Sequence, residues 1–375
     1  MTDRERLLAI LAGQSPDRIP WIPRLEIWYE GQKRRGTMPA RYEGWTLREI
    51  EKDLGTGTPA RAGRVFRTEL RDVEVERETQ GDEILTRYIT PLGTVSTQFQ
   101  RSETLERGGI NAIAQREHMI KGPDDYPVVE YLVEHTEITP TYDAYLAYEA
   151  EIGDDGLPLV SLGVDPMYSI LREYIGYNDA FYHLHDYPEQ VEHLLGVLLE
   201  QAAVIQQIAL DSPAKLFLQG EHFDSRMTPP PLFQKYMVPY FKPFAERLRG
   251  RGKALSCHAD ADTSLLLDLI VEAGFDMAEC FVTAPMVPVT MAQAREVFGT
   301  KVIIWGGIPS VLLCEPYTDQ DFDDYMRELF RTVAPGDAFI LGVADNVLAE
   351  AKLGRIRRVS EMVREYGVCP IQTDA

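Results

Sequence analysis

In Lys253-Ala254-Leu255-Ser256-Cys257-His258-Ala259-Asp260-Ala261-Asp262, an apolar run short enough for one strand gives way to an imidazole and two carboxylates. Two segments of the same kind flank it, Gly220-Glu221-His222-Phe223-Asp224 before and Ala278-Glu279-Cys280-Phe281 after. In a repeating strand-helix protein the ends of strands are where chemistry collects, so three neighbouring strand ends could pool these side chains.

Working outward, short apolar runs recur over the second half, at 157–164, 215–220, 253–257, 276–281, 301–305 and 338–342. Helical patterns separate them, as in Pro188 to Leu210, where Val191, Leu194, Leu195, Leu198, Ala202 and Ile205 share a face. Parallel strands spaced mostly by about 25 to 40 residues predict an α/β chain whose economical closure is a (β/α)8 barrel. No G-x-G-x-x-G or Walker loop supports an open doubly wound sheet. At 375 residues and 45% hydrophobic, residues 1–375 can form one such domain.

The first third reads differently. Thr2-Asp3-Arg4-Glu5 is a capping box opening a first helix. Ile19 to Tyr29, broken by Pro20 and Pro23, suits a strand leading to a pocket lined by aromatic rings. Residues 64–100 alternate polar and apolar around Gln80-Gly81-Asp82 and Pro91-Leu92-Gly93-Thr94, which predicts an inserted antiparallel β-hairpin or small meander.

A net charge of −21, from 38 basic and 59 acidic residues, predicts repulsion from nucleic acid and anionic membranes. No apolar run reaches the roughly 20 residues of a membrane span, and Met1-Thr2-Asp3-Arg4-Glu5-Arg6 has no signal-peptide pattern, so a cytoplasmic protein is expected. Cysteines 257, 280, 314 and 369 form no C-x-x-C pair and suggest reduced thiols.

Strand alternation places His258 and Asp260 on one side and Cys257 on the other, as a packing thiol. His258 and Asp260 then share an opening with Glu221 or His222 and with Cys280, residue types that bind zinc. The bland alternative is a hydrogen-bonded histidine, a buried thiol and helix-capping acids. Gly306-Gly307 leaves room for a ligand, and Asp345 with Asn346 lies at the mouth as substrate-binding or capping residues. Arg24 pairs with Glu26 or meets an anionic substrate group, while Trp28 and Tyr29 are either core rings or a substrate wall.

The ordered segments resemble the uroporphyrinogen decarboxylase and cobalamin-related methyltransferase superfamily over essentially the whole chain. The carriers are Arg4 to Gly13 with Pro16-Asp17-Arg18-Ile19-Pro20, Thr90 to Thr94, Gly220 to Asp224, Cys257 to Asp262, Gly306-Gly307-Ile308 and Phe339 to Asn346. The resemblance implies a barrel with its site at the C-terminal mouth. True decarboxylases carry an arginine-rich segment after the first strand, whereas this chain has Pro23-Arg24-Leu25-Glu26. Thiol-methylating members bind zinc through H-x-C and a distant cysteine; His258 fits the histidine, but Asp260 replaces the first cysteine and none lies in 342–346. The branch implied is the methyltransferase that moves a methyl group from a methoxylated or methylated small molecule to a corrinoid protein. It would hold zinc through Glu221, His222, His258 and Cys280, with Asp260 or Glu279 as proton donor or supporting partner and Trp28 and Tyr29 as the substrate wall. A homodimer is compatible with this reading. The alternatives are a lyase acting on a carboxylate substrate held by Arg24, and a barrel that binds a small molecule or corrinoid protein without turnover.

Overall fold

In the computed structural model, which describes residues 1–111, 113–220 and 222–372, twelve strands form in chain order. They are β1 Phe66–Leu70, β2 Glu74–Gln80, β3 Glu83–Thr90, β4 Gly93–Gln100, β5 Ala114–Glu117, β6 Thr136–Pro140, β7 Leu159–Ser161, β8 Leu216–Leu218, β9 Ala254–His258, β10 Met277–Phe281, β11 Ile303–Pro309 and β12 Phe339–Ala344. Strands β7 to β12 are parallel and adjacent in sequence order. All six coincide with the apolar runs expected to form strands.

Two extended segments complete the ring. Ile22 N donates to Leu341 O and Leu341 N to Pro20 O, each at 2.9 Å, which lays the Trp21 segment parallel to β12. Residues 57–60 fill the remaining gap, with Gly57 N on Trp21 O and Leu159 N on Ala60 O, both at 3.0 Å. Eight segments therefore close a barrel, as the strand rhythm predicts.

Alternation along the strands separates two cores. Leu159, Leu216, Leu218, Ala254, Met277, Ile303, Trp305 and Ile340 point inward, together with Leu7 and Ile10 of the helix Asp3–Leu11. That helix, opened by the Thr2–Glu5 capping box, plugs the end where the strands begin. Leu255, Cys257, Ala278, Ile304 and Leu341 point outward into the layer beneath the helices. Each fully buried side chain of this size contributes about 1.5–3 kcal/mol, so parity along the strands is strongly fixed.

Three expectations change. The insertion is larger than 64–100: β5 extends it to a four-stranded antiparallel sheet ordered β2-β3-β4-β5, and β1 pairs with β6 outside it. Trp28 and Tyr29 lie on a helix, Glu26–Arg35, with an acid in its first turn, three bases in its last and Gly36 left-handed at its end. The helix Pro188–Asp211 is long and apolar enough in composition to span a bilayer, but Val191, Leu194, Leu195, Leu198 and Ala202 are buried in the protein.

Beyond β7, Asp165 caps the turn that follows, its Oδ1 accepting from Tyr168 N at 2.9 Å. Burial pushes its carboxyl up to about 7, against the hydrogen bonds of the cap. With a folded pKa above the ordinary 3.8, the folded state binds more protons between these values, so Asp165 costs stability as pH rises from about 4 to 7. Asp165→Asn keeps a capping oxygen and removes the charge. Urea unfolding is expected to show the variant more stable at pH 8, on the order of 2–4 kcal/mol, with the difference vanishing near pH 4.

Candidate active site at the barrel mouth

His258 ends β9 and sits in register with Glu279 of β10, both side chains facing the barrel axis and almost wholly buried. His258 Nδ1 lies 2.6 Å from Glu279 Oε2, so this nitrogen carries a proton that it donates, and Nε2 is the nitrogen turned to the mouth, where a bound metal would displace its proton. Nε2 faces Asp260 Oδ2 at 3.4 Å and Asp345 Oδ1 at 3.7 Å. His222 Nδ1 approaches Asp260 at 2.7 Å. Ligand atoms of His222, His258 and Asp260 all lie within 4.8 Å of one another, as do those of His258, Glu279 and Cys280.

Cys280 reaches this mouth through a local break in the strand. The β10–β11 register shifts between Ala278 and Phe281, and Cys280 has φ +54°, a left-handed conformation that costs a non-glycine residue. The bulge brings Cys280 beside Glu279 where regular alternation would set it opposite. Its thiol donates to Glu279 Oε1 at 3.0 Å, and Arg24 Nη1 donates to Sγ at 3.4 Å. His222 also holds a left-handed φ, +51°. Such conformations persist where surrounding contacts fix them, and both occur at this mouth.

Two arginines balance the acids. Arg24 pairs with Asp345, and Arg61 pairs with Glu279. Burial alone would raise the Glu279 carboxyl, but Arg61, His258 and Arg24 outweigh it and hold it well below the usual range. Burial likewise opposes charge on His258, yet Glu279, Cys280 and Asp260 lift its pKa well above 6.5. Asp260 is held low against burial by His222 and His258. The Cys280 thiol is pushed up to about 12 by burial and by Glu279, so it is protonated in this setting.

Of the residues expected at the site, Arg24, His222, His258, Asp260, Glu279, Cys280 and Asp345 come together, and Asn346 Nδ2 steadies Asp345 Oδ2 at 2.8 Å. Glu221 lies outside the described residues. The geometry brings Asp260, not Cys280, to His222. Trp28 is a core ring, 2% exposed and edge-on to Tyr42 at 6.5 Å, and Tyr29 spends its hydroxyl on Trp45 O, so neither forms the expected wall. Arg24 pairs with Asp345 and not with Glu26.

Arg61 is the residue sequence reasoning missed. It follows the extended segment 57–60, and its one visible trace is the pair Arg61 and Arg64 among small residues in Pro59-Ala60-Arg61-Ala62-Gly63-Arg64. A cleft of about 410 Å³ opens beside the cluster, walled by Arg24, Arg61, Arg64, Glu26, Glu51 and Tyr148.

The sequence profile described as Uroporphyrinogen decarboxylase (URO-D) matches residues 127–366, well over half of the chain. The chain belongs to the uroporphyrinogen decarboxylase family. Within it, His222, His258, Asp260, Glu279, Cys280 and Asp345 fall inside the matched stretch, whereas Arg24 and Arg61 precede it. Among solved structures, a methyltransferase from Methanosarcina mazei is similar, with TM-score 0.58 and 14% identity over 98% of this chain and 99% of that chain. At that identity the likeness is one of fold, and its near-complete coverage extends the family's barrel to the N-terminal third. No curated protein matches the sequence.

Proposed function

We propose that the chain is a methyltransferase that moves a methyl group from a small methoxylated or methylated molecule to a corrinoid protein, aided by zinc. The observation that carries this reading is His258, whose Nδ1 is committed to Glu279 while Nε2 faces Asp260 and the mouth. Two imidazoles and a carboxylate within 4.8 Å form a donor set suited to zinc with one position left for substrate. The 3.4 Å separation of Nε2 and Asp260 Oδ2 is about that of two ligands on a tetrahedral zinc. His222, His258 and Asp260 would hold the ion, and Glu279 on Nδ1 is the outer partner that fixes the histidine tautomer. Zinc supplies Lewis-acid stabilisation of the oxygen that leaves when a methyl ether is cleaved.

The chain's own groups handle the rest. Arg61 neutralises Glu279, which keeps that buried carboxylate ionised and in place, and Arg24 holds Asp345 at the mouth. Asp345, partly exposed and 3.7 Å from His258 Nε2, borders the position of the departing oxygen and, with Arg24, orients the donor there. The methyl group leaves as a cation equivalent for the reduced corrinoid, and the donor oxygen keeps the bond's electron pair and takes a proton from solvent water at the open mouth. The fold likeness to a methyltransferase is consistent with this reading.

The test is anaerobic incubation with a reduced corrinoid protein and a panel of methoxylated compounds. Methylated corrinoid is expected to accumulate, with about one zinc per chain by elemental analysis. A second reading, a lyase acting on a carboxylate, draws on Arg24, Arg61 and Arg64 around the cleft. Carbon dioxide release without any corrinoid acceptor would replace the first reading by the second.

A further inference from the structure

Arg24 and Arg61 belong both to the His258 cluster and to the cleft of about 410 Å³ beside it. A donor whose methyl group meets the cluster therefore has its remaining atoms in that cleft. Five charged side chains line it, and three of them are paired within the protein: Arg24 with Asp345, Arg61 with Glu279, and Glu51 with Arg48, whose Nη1 lies 2.7 Å from Glu51 Oε2. Arg64 and Glu26 are left. Both are exposed, and among the described residues neither forms an ion pair, with each other or with any other group.

Arg64 is held in readiness for an acid. Its Nη1 donates to Gly63 O at 2.9 Å and to Arg61 O at 3.2 Å, while its other N–H groups meet no acceptor among the described residues. A guanidinium anchored through one nitrogen keeps a second edge whose paired N–H groups match a carboxylate. The loop beneath it is fixed: Ala60 is buried with a left-handed φ of +47°, and Ala62 N donates to Tyr148 OH at 3.3 Å. Glu26 brings the opposite charge to the same lining, and Tyr148, Leu47 and Pro59 add apolar surface for the body of a ligand. A simple anion suits this cleft poorly, because it gains at Arg64, loses at Glu26 and is repelled by a chain of net charge −21. A molecule carrying one charge of each sign meets both side chains and has no net charge for the chain to repel.

We propose that the methyl donor is a methoxylated amino acid, with its carboxylate on Arg64 and its ammonium group on Glu26. The role of donor rests on the methyl-transfer reading of the His258 cluster; recognition in the cleft is tested without it. The test is calorimetric titration of the full chain, in the presence of a chelator and without corrinoid, using O-methyl-L-tyrosine as the probe. Two controls each lack one charge: p-methoxyphenylpropionate has no ammonium group, and O-methyltyramine has no carboxylate. Saturable one-site binding is expected for the amino acid, with each control at least about ten-fold weaker, the worth of one charge-assisted hydrogen bond. Arg64→Gln should lower the affinity for the amino acid to that of O-methyltyramine, and Glu26→Gln should lower it to that of p-methoxyphenylpropionate. Circular dichroism confirms that both variants are folded. The proposal is overturned if the wild type shows no saturable binding of the amino acid, if either control binds as tightly, or if either folded variant keeps wild-type affinity. Methylated corrinoid formed from uncharged methoxylated compounds, with no binding of the amino acid, sinks the proposal and leaves the methyl-transfer reading standing. Charge-dependent binding with no methylated corrinoid from any donor does the reverse.

Discussion

Replacing His258 with alanine is expected to lower methyl transfer to the corrinoid acceptor by at least about 10²- to 10⁴-fold. The same change should bring zinc content close to zero. His258 is the one residue common to both groups of converging donor atoms, His222–His258–Asp260 and His258–Glu279–Cys280. Without its ring, His222 and Asp260 remain as a two-ligand remnant, and Glu279 loses the imidazole it orients. His258 is also buried, so activity and metal are to be read beside a thermal melt. Cys257→Ala is the control: that thiol points into the outer layer, pushed up to about 12 by burial, and its removal should spare metal content and turnover. Wild-type turnover by a folded His258→Ala variant would remove His258 from the reaction altogether.

How much of this was legible in sequence follows from where the determining contacts lie. Strands β7 to β12 announce themselves because each is buried on both faces and therefore reads as a continuous apolar run. The first two barrel segments carry no such run. The first is flanked by Pro20 and Pro23 and the second ends beside Pro59, and each is held by a few main-chain hydrogen bonds that only the closed ring supplies. The strand expected over Ile19 to Tyr29 gives way to helix from Glu26 because Ile27 and Trp28 continue the apolar run, while the helix signals, an acidic start, a basic end and Gly36, lie mostly beyond it. His258, Asp260, Glu279 and Asp345 were visible as polar residues closing apolar runs. Cys280 reaches the expected opening, but through a bulge that no sequence pattern announces, and Arg61 was not visible, since its partner Glu279 lies 218 residues away.

Glu279→Gln should have the second large effect, on stability. Glu279 is 1% exposed and accepts from His258 while pairing with Arg61, so the amide leaves two cations without their shared counter-charge. Breaking a buried pair in this way costs about 3–5 kcal/mol, which denaturant unfolding with a chelator present would detect. The pH dependence identifies the cause. Glu279 has its folded pKa depressed, so its stabilisation is present above its ordinary 4.5 and is lost as pH falls toward the folded value. His258 has its folded pKa raised, so its stabilisation is complete below its ordinary 6.5 and fades as pH rises toward the folded value. Both conditions hold together between about pH 4.5 and 6.5, and there the wild type should exceed Glu279→Gln by the widest margin. In the variant, burial is no longer outweighed by a carboxylate on Nδ1, so His258 should lose its proton at lower pH. A stability gap of constant size from pH 4 to 9 would mean that the substitution disturbs packing and that the His258–Glu279 ion pair contributes nothing.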